Sequence, residues 1–413
     1  MQTERGLDIT LFDERATHGG RTRSFVEKNT GDVIDNGQHL MMGCYTSTLR
    51  YASQIGTSSK LSLLSPLQIP FYQKHIGTIG SLQVSSKLPV PANLLFGILS
   101  SDLLAGYEKL AALRFGGCVM LFSYDKRFAD STCKELFSAT HQPETLIKKL
   151  WEPIILATLN ASIEQASAQL FLNTLRTVFL MNRKYSSILM PTVGLSELLI
   201  DPAITLLQSL GHRFQTGKQI VAAHEQSGVV YLSVDGISGF DTFDALIIAA
   251  SPLPQWASEF ITQSSVPDFS PIVNVYLWLD KKIVHHPING FIDTDLQWCF
   301  PKTSKHSKQL IACTVSAANK MTEQESSQIV DTISDDLFSS VGSSAKINHS
   351  VVLKEKRATY LMTPHSQQDR PPIQTRFHNI QCASDFAQNA LPMTIEGAIR
   401  NGQRAARNLF NDL

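Results

Sequence analysis

Apolar residues cluster in short runs near both ends of the chain and recur at helical spacing through its middle. The run Ile9-Thr10-Leu11-Phe12 ends in Asp13 and predicts a strand that feeds the turn at Gly19-Gly20. A second short strand is predicted over Gly31-Asp32-Val33-Ile34. It leads into Asp35-Asn36-Gly37-Gln38-His39, where Asn-Gly signals a turn. Between about Ser100 and Arg183 the period changes. Leu103, Leu104, Tyr107, Leu110 and Ala111, then Leu146, Leu150 and Ile154, repeat three or four positions apart, so this stretch reads as mainly helical. Beyond Pro191 and Gly194 the pattern predicts a helix over 196–209 and strands over 219–222, 229–234 and 245–250. The last is a continuous apolar run, the mark of a strand buried on both faces of a parallel sheet. Further strands are predicted over 271–279, 309–315 and 351–358, with a helix near 322–339 and a closing helix over about 393–409.

The 413 residues carry 36 basic and 36 acidic side chains, a formal charge of zero. Phosphate neutralisation needs a basic surplus or stripe, so nucleic acid is not an expected partner. Apolar residues make up 43% and charged residues 17%, leaner in charge than the roughly 25% of an average soluble protein. That excludes a disordered chain and points to an unusually apolar surface or interior pocket. The cysteines at 44, 118, 133, 299, 313 and 382 are too scattered for a metal or redox pair, and reduced thiols are expected. The 12 histidines show no metal spacing, and no metal is expected. Gly194-Leu195-Ser196-Glu197-Leu198 lacks the second glycine of a serine hydrolase elbow. Trp151, Trp256, Trp278 and Trp298 read as core or pocket-wall residues rather than electron carriers. A polar N-terminus without an apolar signal core predicts a cytoplasmic location. The stretch 88–105 is broken by Pro89, Pro91, Asn93, Ser100, Ser101 and Asp102. It falls short of the roughly 20 apolar residues of a spanning helix and leaves open only a face that leans on the membrane.

A strand that ends in an acid, as at Asp13, is where a dinucleotide fold places a carboxylate under the adenosine ribose. Gly19-Gly20-Arg21 then offers backbone N–H groups and a guanidinium to a pyrophosphate. Each feature is common by itself. Together, Ile9-Thr10-Leu11-Phe12-Asp13-Glu14-Arg15 and Gly19-Gly20-Arg21 resemble the second strand and Gly-Gly-Arg turn of the FAD-dependent amine oxidase and carotenoid desaturase superfamily, where most members carry Glu in place of Asp13. Within it, Asp35-Asn36-Gly37-Gln38-His39, Leu150-Trp151-Glu152-Pro153 continuing to Leu159-Asn160, and Leu391-Pro392-Met393-Thr394-Ile395-Glu396-Gly397-Ala398 resemble one branch, the hydroxysqualene dehydroxylases or squalene-associated FAD-dependent desaturases. The resemblance runs over nearly the whole chain. Its Trp-Glu-Pro and Thr-Ile-Glu-Gly-Ala motifs are the specific ones, whereas Gly-Gly-Arg marks only the superfamily.

The resemblance implies an α/β fold: an FAD-binding, Rossmann-like domain of the amine oxidase type assembled from discontinuous segments, with a mixed α+β substrate domain. The expected FAD-binding parts are 1–60, 191–255 and 376–413. A largely helical substrate-domain insertion is expected over 61–190, and a substrate-domain sheet and helix over 256–375. Gly19, Gly20 and Arg21 then lie at the FAD phosphates, Asp13 at the ribose, and Asp35, Asn36, Gly37, Gln38 and His39 beside the flavin. The backbone of Ile220 meets the adenine, and Asp385 the ribityl or pyrophosphate region. Ser384 stands where glycine is usual and adds a side chain at that turn. Thr394 and Ile395 open the closing helix, whose unpaired N–H groups and positive end would stabilise charge on a reduced flavin.

The implied activity is reductive removal of the hydroxyl of hydroxysqualene to give squalene in hopanoid synthesis. The substrate is then a long apolar isoprenoid and the partners are squalene-pathway enzymes at the inner membrane face. His39 and Glu396 are the candidate proton donors. Leu94, Leu95, Phe96, Ile98 and Leu99 are a candidate membrane-side entrance, or equally an ordinary buried helix. The alternatives are an oxidative carotenoid or phytoene desaturase and an inactive, truncated remnant. Only 12 residues precede Asp13 and no glycine has another two positions on, so the usual Gly-x-Gly-x-x-Gly phosphate cradle is not found. The chain is therefore expected to begin inside the FAD domain, with Arg5-Gly6-Leu7-Asp8 closing a helix, and an upstream extension is expected to bind FAD better.

Overall fold

The structure, a computed structural model, describes residues 6–412 except 85–87, 89–91, 123–125, 180 and 263–267. A seven-stranded mixed sheet runs in the order Ile347–Tyr360, Phe269–Leu279, Gln309–Ser316, Trp298–Lys302, Asn289–Ile292, Leu67–Gln73 and Gly77–Val84. Neighbours are antiparallel except Asn289–Ile292, which runs parallel to Leu67–Gln73. Alternation along Phe269–Leu279 divides the sheet into two faces. Val273, Val275, Leu277 and Leu279 bury against Ile329, Ile333 and Leu337 of the helix Ser326–Val341. These three recur every fourth position, and Gly342, in the left-handed region at φ 65°, ends the helix. Asn274, Tyr276 and Trp278 take the other face and meet the 32–36 segment.

A layer of helices, Gly106–Phe122, Cys133–Ala139, Glu152–Leu159 and Ala168–Phe179, packs with Phe71 and Tyr360 of the sheet. Trp151 sits among Phe115, Phe137 and Phe171, and its indole N–H donates to Gln142 Oε1 at 3.1 Å, which satisfies its polar end. Asn160 caps Glu152–Leu159 in the left-handed region at φ 49°. Its side chain donates to Ser270 O and Thr359 Oγ1 and accepts from the Ala317 N–H. One buried amide thus ties the helical layer to three neighbouring strands or their ends.

The remaining unit contains two parallel pairs, Thr10–Asp13 with Arg213–Thr216 and Leu246–Ile248 with Ile380–Cys382. A meander of Ile220–Gln226, Val229–Val234 and Asp241–Phe243 adjoins them, and the closing helix Ile395–Asp412 packs on Ile380–Cys382 and on the helix Thr46–Gln54.

Two expectations need correction. Residues 61–84, placed in a helical insertion, form the strands Leu61–Leu63, Leu67–Gln73 and Gly77–Val84. Pro70 and two glycines interrupt their strand signal. The apolar run at 245–250 is not buried on both faces: Leu246–Ile248 pairs with a single strand and Ile247 is exposed. Gly6, at φ 62°, sits in a turn that leads through Leu7 and Asp8 into the first strand, and residues 1–5, where the expected helix would lie, are outside the described residues. Pro89 and Pro91 also lie outside them.

Candidate active site

The first strand delivers Asp13, whose carboxylate accepts the Arg15 N–H at 3.0 Å and stands 3.8 Å from His18 Nδ1. The turn that follows needs glycine at position 19. Its φ is +98°, and a Cβ there would lie 2.6 Å from the Thr22 carbonyl oxygen. Gly20 is also left-handed at φ +57°, with open space where its Cβ would be. Arg21 then reaches across the molecule. It donates to the carbonyls of Ala358 at 2.8 Å and Arg357 at 3.3 Å and pairs with Asp385 Oδ2. Two residues 364 positions apart thus meet in a part-buried ion pair. Among the described residues nothing donates to the other carboxylate oxygen, Asp385 Oδ1, although it is buried.

Ser384, the departure from the expected glycine, turns its hydroxyl back to accept the Phe386 N–H at 3.3 Å. Arg370 organises the same loop. Buried, it donates to the carbonyls of Phe386, Asn389 and Leu391 at 3.0, 3.0 and 2.8 Å, and burial pulls its pKa down to about 10. Nothing in the sequence around Gln368-Asp369-Arg370-Pro371 announces this role.

The 35–39 segment divides between scaffold and site. Asp35 is buried and fully occupied, accepting from Ser24 Oγ at 2.6 Å, the Leu195 N–H at 2.9 Å and Lys302 Nζ at 2.7 Å. Asn36 donates to Glu355 Oε2 at 3.0 Å, and its carbonyl accepts from Asn274 Nδ2 at 3.3 Å. Gly37 lies tight on Asn274, where a Cβ would approach Nδ2 to 3.3 Å. Gln38 Oε1 is buried with no donor among the described residues. His39 Nδ1 lies 2.8 Å from the Gly37 carbonyl, which can only accept, so Nδ1 carries the hydrogen and Nε2 presents its lone pair. Burial lowers the His39 pKa, against the raising effects of the Gly37 hydrogen bond and Asp35, and Lys302 and Arg21 add to the lowering. The imidazole is therefore neutral at pH 7. Asp32, which sequence reasoning passed over, accepts from Trp278 Nε1 at 2.8 Å and Ser304 Oγ and anchors this segment to the sheet.

Below Asn36 and Gly37 the sheet presents the cross-strand row Trp298, Thr314, Asn274 and Leu353. Thr314 Oγ1 donates to Asn274 Oδ1 at 2.9 Å, and on the same face of the sheet Tyr276 and Phe300 pack in one apolar cluster with Ile34, Leu40 and Met190.

Glu396 is committed to a helix end. Its carboxylate accepts from the Ser47 and Thr48 N–H groups at 3.1 and 2.8 Å, Thr48 Oγ1 at 2.8 Å and Arg400 Nε at 2.6 Å. It caps the helix Thr46–Gln54, whose own N-cap side chain makes no bond. Thr394 caps the closing helix, its hydroxyl accepting the Gly397 N–H at 3.1 Å, and Ile395 packs on the cluster around Met41 and Leu198. The Ile220 carbonyl accepts Trp256 Nε1 at 2.9 Å, and the residue packs on the core beside Ala223 and Ile248. Leu95, Phe96 and Leu99 are exposed and Ile98 packs inward, so this helix is not an ordinary buried one; the Leu94 side chain lies outside the description. No helix among the described residues is long and apolar enough to cross a membrane.

Comparison with known proteins places this geometry. Residues 3–410 match the flavin containing amine oxidoreductases. The chain belongs to that family. It is 27% identical to a hydroxysqualene dehydroxylase of Sinorhizobium fredii over 409 residues, 97% of this chain and 92% of that protein. A hydroxysqualene dehydroxylase of Rhodopseudomonas palustris is 26% identical with the same coverage. A 15-cis-phytoene desaturase of Narcissus pseudonarcissus is 21% identical, over 99% of this chain and 76% of that one. Among solved structures, putrescine oxidase superposes with a TM-score of 0.67 at 13% identity, covering 98% of this chain and 94% of that chain. Cyclohexylamine oxidase of Brevibacterium oxydans gives 0.66 at 13%, covering 97% and 93%. The fold is therefore the α/β fold of the amine oxidoreductases. Their flavin suits the residues present: Asp385 Oδ1 and Gln38 Oε1 are buried acceptors waiting for donors, such as a cofactor's hydroxyl and ring N–H groups provide.

Proposed function

We propose that this flavin-dependent oxidoreductase is an FAD-dependent hydroxysqualene dehydroxylase, which removes the hydroxyl of hydroxysqualene reductively to give squalene. The observation that carries the reading is the meeting of Arg21 with Asp385, which leaves a buried carboxylate oxygen unpaired at the junction of the two terminal segments. The full-length likeness to hydroxysqualene dehydroxylases supports the substrate, and the more distant phytoene desaturases do not favour oxidative desaturation.

Arg21 would hold the FAD phosphates with Gly19 and Gly20, Asp13 the ribose and Asp385 the ribityl chain, with Gln38 and the 35–39 backbone along the flavin. Thr394 and Ile395 set the closing helix with its positive end toward the cofactor. A bound reduced flavin supplies the two electrons and the hydrogen that replaces the departing oxygen. The apolar residues of the sheet face take the isoprenoid chain and keep water out.

The hydroxyl must leave as water, which requires a proton. Of the two candidates, Glu396 already accepts four hydrogen bonds at a helix end. His39 has its Nδ1–H committed to Gly37, so a proton taken up on Nε2 is the one it can give. The test is anaerobic incubation of protein, FAD, a reductant and hydroxysqualene, with products read by gas chromatography. Squalene formed in step with reductant consumed is expected. No squalene, or products with added double bonds, would refute the proposal.

A further inference from the structure

We infer that the Trp298 indole N–H holds the oxygen of the substrate's hydroxyl, and that this residue selects the hydroxylated isoprenoid over the hydrocarbon. Trp298 lies on the sheet row that passes beneath the Asn36–Gly37 backbone at Asn274, opposite Thr314 and two strands from Asn274. Its ring packs on two apolar clusters, the one built on the helical layer and the one on the site face of the sheet, and meets Phe71 edge-on at 5.8 Å. It therefore stands where the two clusters join, beside Ile69, which also belongs to both.

At that junction the indole nitrogen is buried, and among the described residues nothing accepts its hydrogen. An indole N–H is a donor only, and a buried donor without an acceptor is rare in proteins. Trp151, Trp256 and Trp278 each have an acceptor, Gln142 Oε1, the Ile220 carbonyl and Asp32 Oδ2. Among the described residues Trp298 alone of the four lacks one, and like Trp278 it belongs to the apolar cluster on the site face of the sheet. Trp298, Leu40, Ile188, Met190 and Leu353 are partly buried and belong to one cluster, so the surroundings of the donor are apolar. A single donor in such surroundings suits a ligand with one oxygen on a long hydrocarbon. The donor cannot give up its proton, so it would orient the carbon–oxygen bond while the departing oxygen receives its proton from elsewhere. An acceptor on the ligand also explains selectivity, since squalene would leave the same N–H unpaired.

The inference rests on the dehydroxylase reading, and one experiment separates the two. Affinities for hydroxysqualene and for squalene, presented in the same detergent micelles, are measured on the flavin-loaded wild-type chain and on Trp298→Phe. Loss of the donor should weaken hydroxysqualene about 10-fold and leave squalene within about twofold. Equal weakening of both ligands, or of neither, overturns the role of Trp298 and leaves the dehydroxylase reading standing. Wild-type protein that binds no hydroxysqualene overturns both. If Trp298→Phe does not fold, Trp298→His makes the comparison with a ring donor kept and much of the ring removed. Both ligands should then weaken together, and a loss confined to hydroxysqualene overturns the inference.

Discussion

His39 shows how desolvation and neighbouring charges set the acidity of one part-buried ring. Its pKa is pushed below the ordinary value, chiefly by burial and with help from Lys302 and Arg21, against Gly37 and Asp35, so the protonated form is the minor one at neutral pH and a stronger acid than an ordinary imidazolium when it forms. Donation requires that form. Turnover should therefore rise as pH falls through the lowered pKa and level off beneath it. His39→Gln should cost about 10²–10⁴-fold in kcat and abolish that limb, with flavin content unchanged. A kcat/KM profile of both proteins checks it, and an unchanged limb in the variant would move the proton donor elsewhere. His39 could be singled out as a candidate because it follows a recognisable Asp-Asn-Gly-Gln turn, and Arg21 and Asp385 because each sits in a motif. Arg370, Asp32 and Lys302 were not. Lys302 meets Asp35 across 267 positions, and Asp32 meets Trp278 across 246. Such pairings arise only when the sheet assembles, and no local spacing foretells them.

Two helices share one acid at the scale of elements. Thr46–Gln54 begins without a capping side chain of its own, and Glu396, from the first turn of the closing helix, supplies the missing acceptors. Glu396→Ala should cost about 1–3 kcal/mol, because it strips the cap from one helix and the partner from Arg400. Denaturant unfolding measures this. Turnover per folded, flavin-loaded molecule should change little, whereas complete loss of turnover in a stable variant would restore Glu396 as the proton donor. The elements themselves were readable where one period dominates. Phe269–Leu279 alternates cleanly between a helix-covered face and the site face, and Ser326–Val341 repeats its apolar residues every fourth position. The reading lost the strands of 61–84, where Pro70 and Gly77 and Gly80 break the alternation that marks a strand. It also overrated the burial of Leu246–Ile248, since an apolar run tells the composition of a strand but not how many neighbours cover it.

At the scale of the molecule, the low charge content reappears as an uneven surface. The helix Gly106–Phe122 buries Ala112, Phe115 and Val119 yet also exposes Tyr107, Leu110, Met120 and Leu121, so it is apolar on the side where a surface helix is normally polar. The adjoining helix Ala92–Ser100 exposes Leu95, Phe96 and Leu99. Large aliphatic and aromatic side chains on two neighbouring helices form the kind of face that partitions into a bilayer interface, each buried CH₂ contributing about 0.8 kcal/mol. A water-insoluble isoprenoid would reach the protein from the bilayer through such a face. The chain should therefore float with phospholipid vesicles in a density gradient, at neutral as well as anionic lipid composition, because the attraction is apolar. Replacing Leu95, Leu99 and Leu121 together by Ser should release it. The same variant should show a KM raised several-fold for hydroxysqualene carried in vesicles and unchanged for hydroxysqualene in detergent micelles, since only the first route crosses this face. A variant that still floats, or a KM that rises in both media, would show that the substrate enters elsewhere and that these helices face another surface.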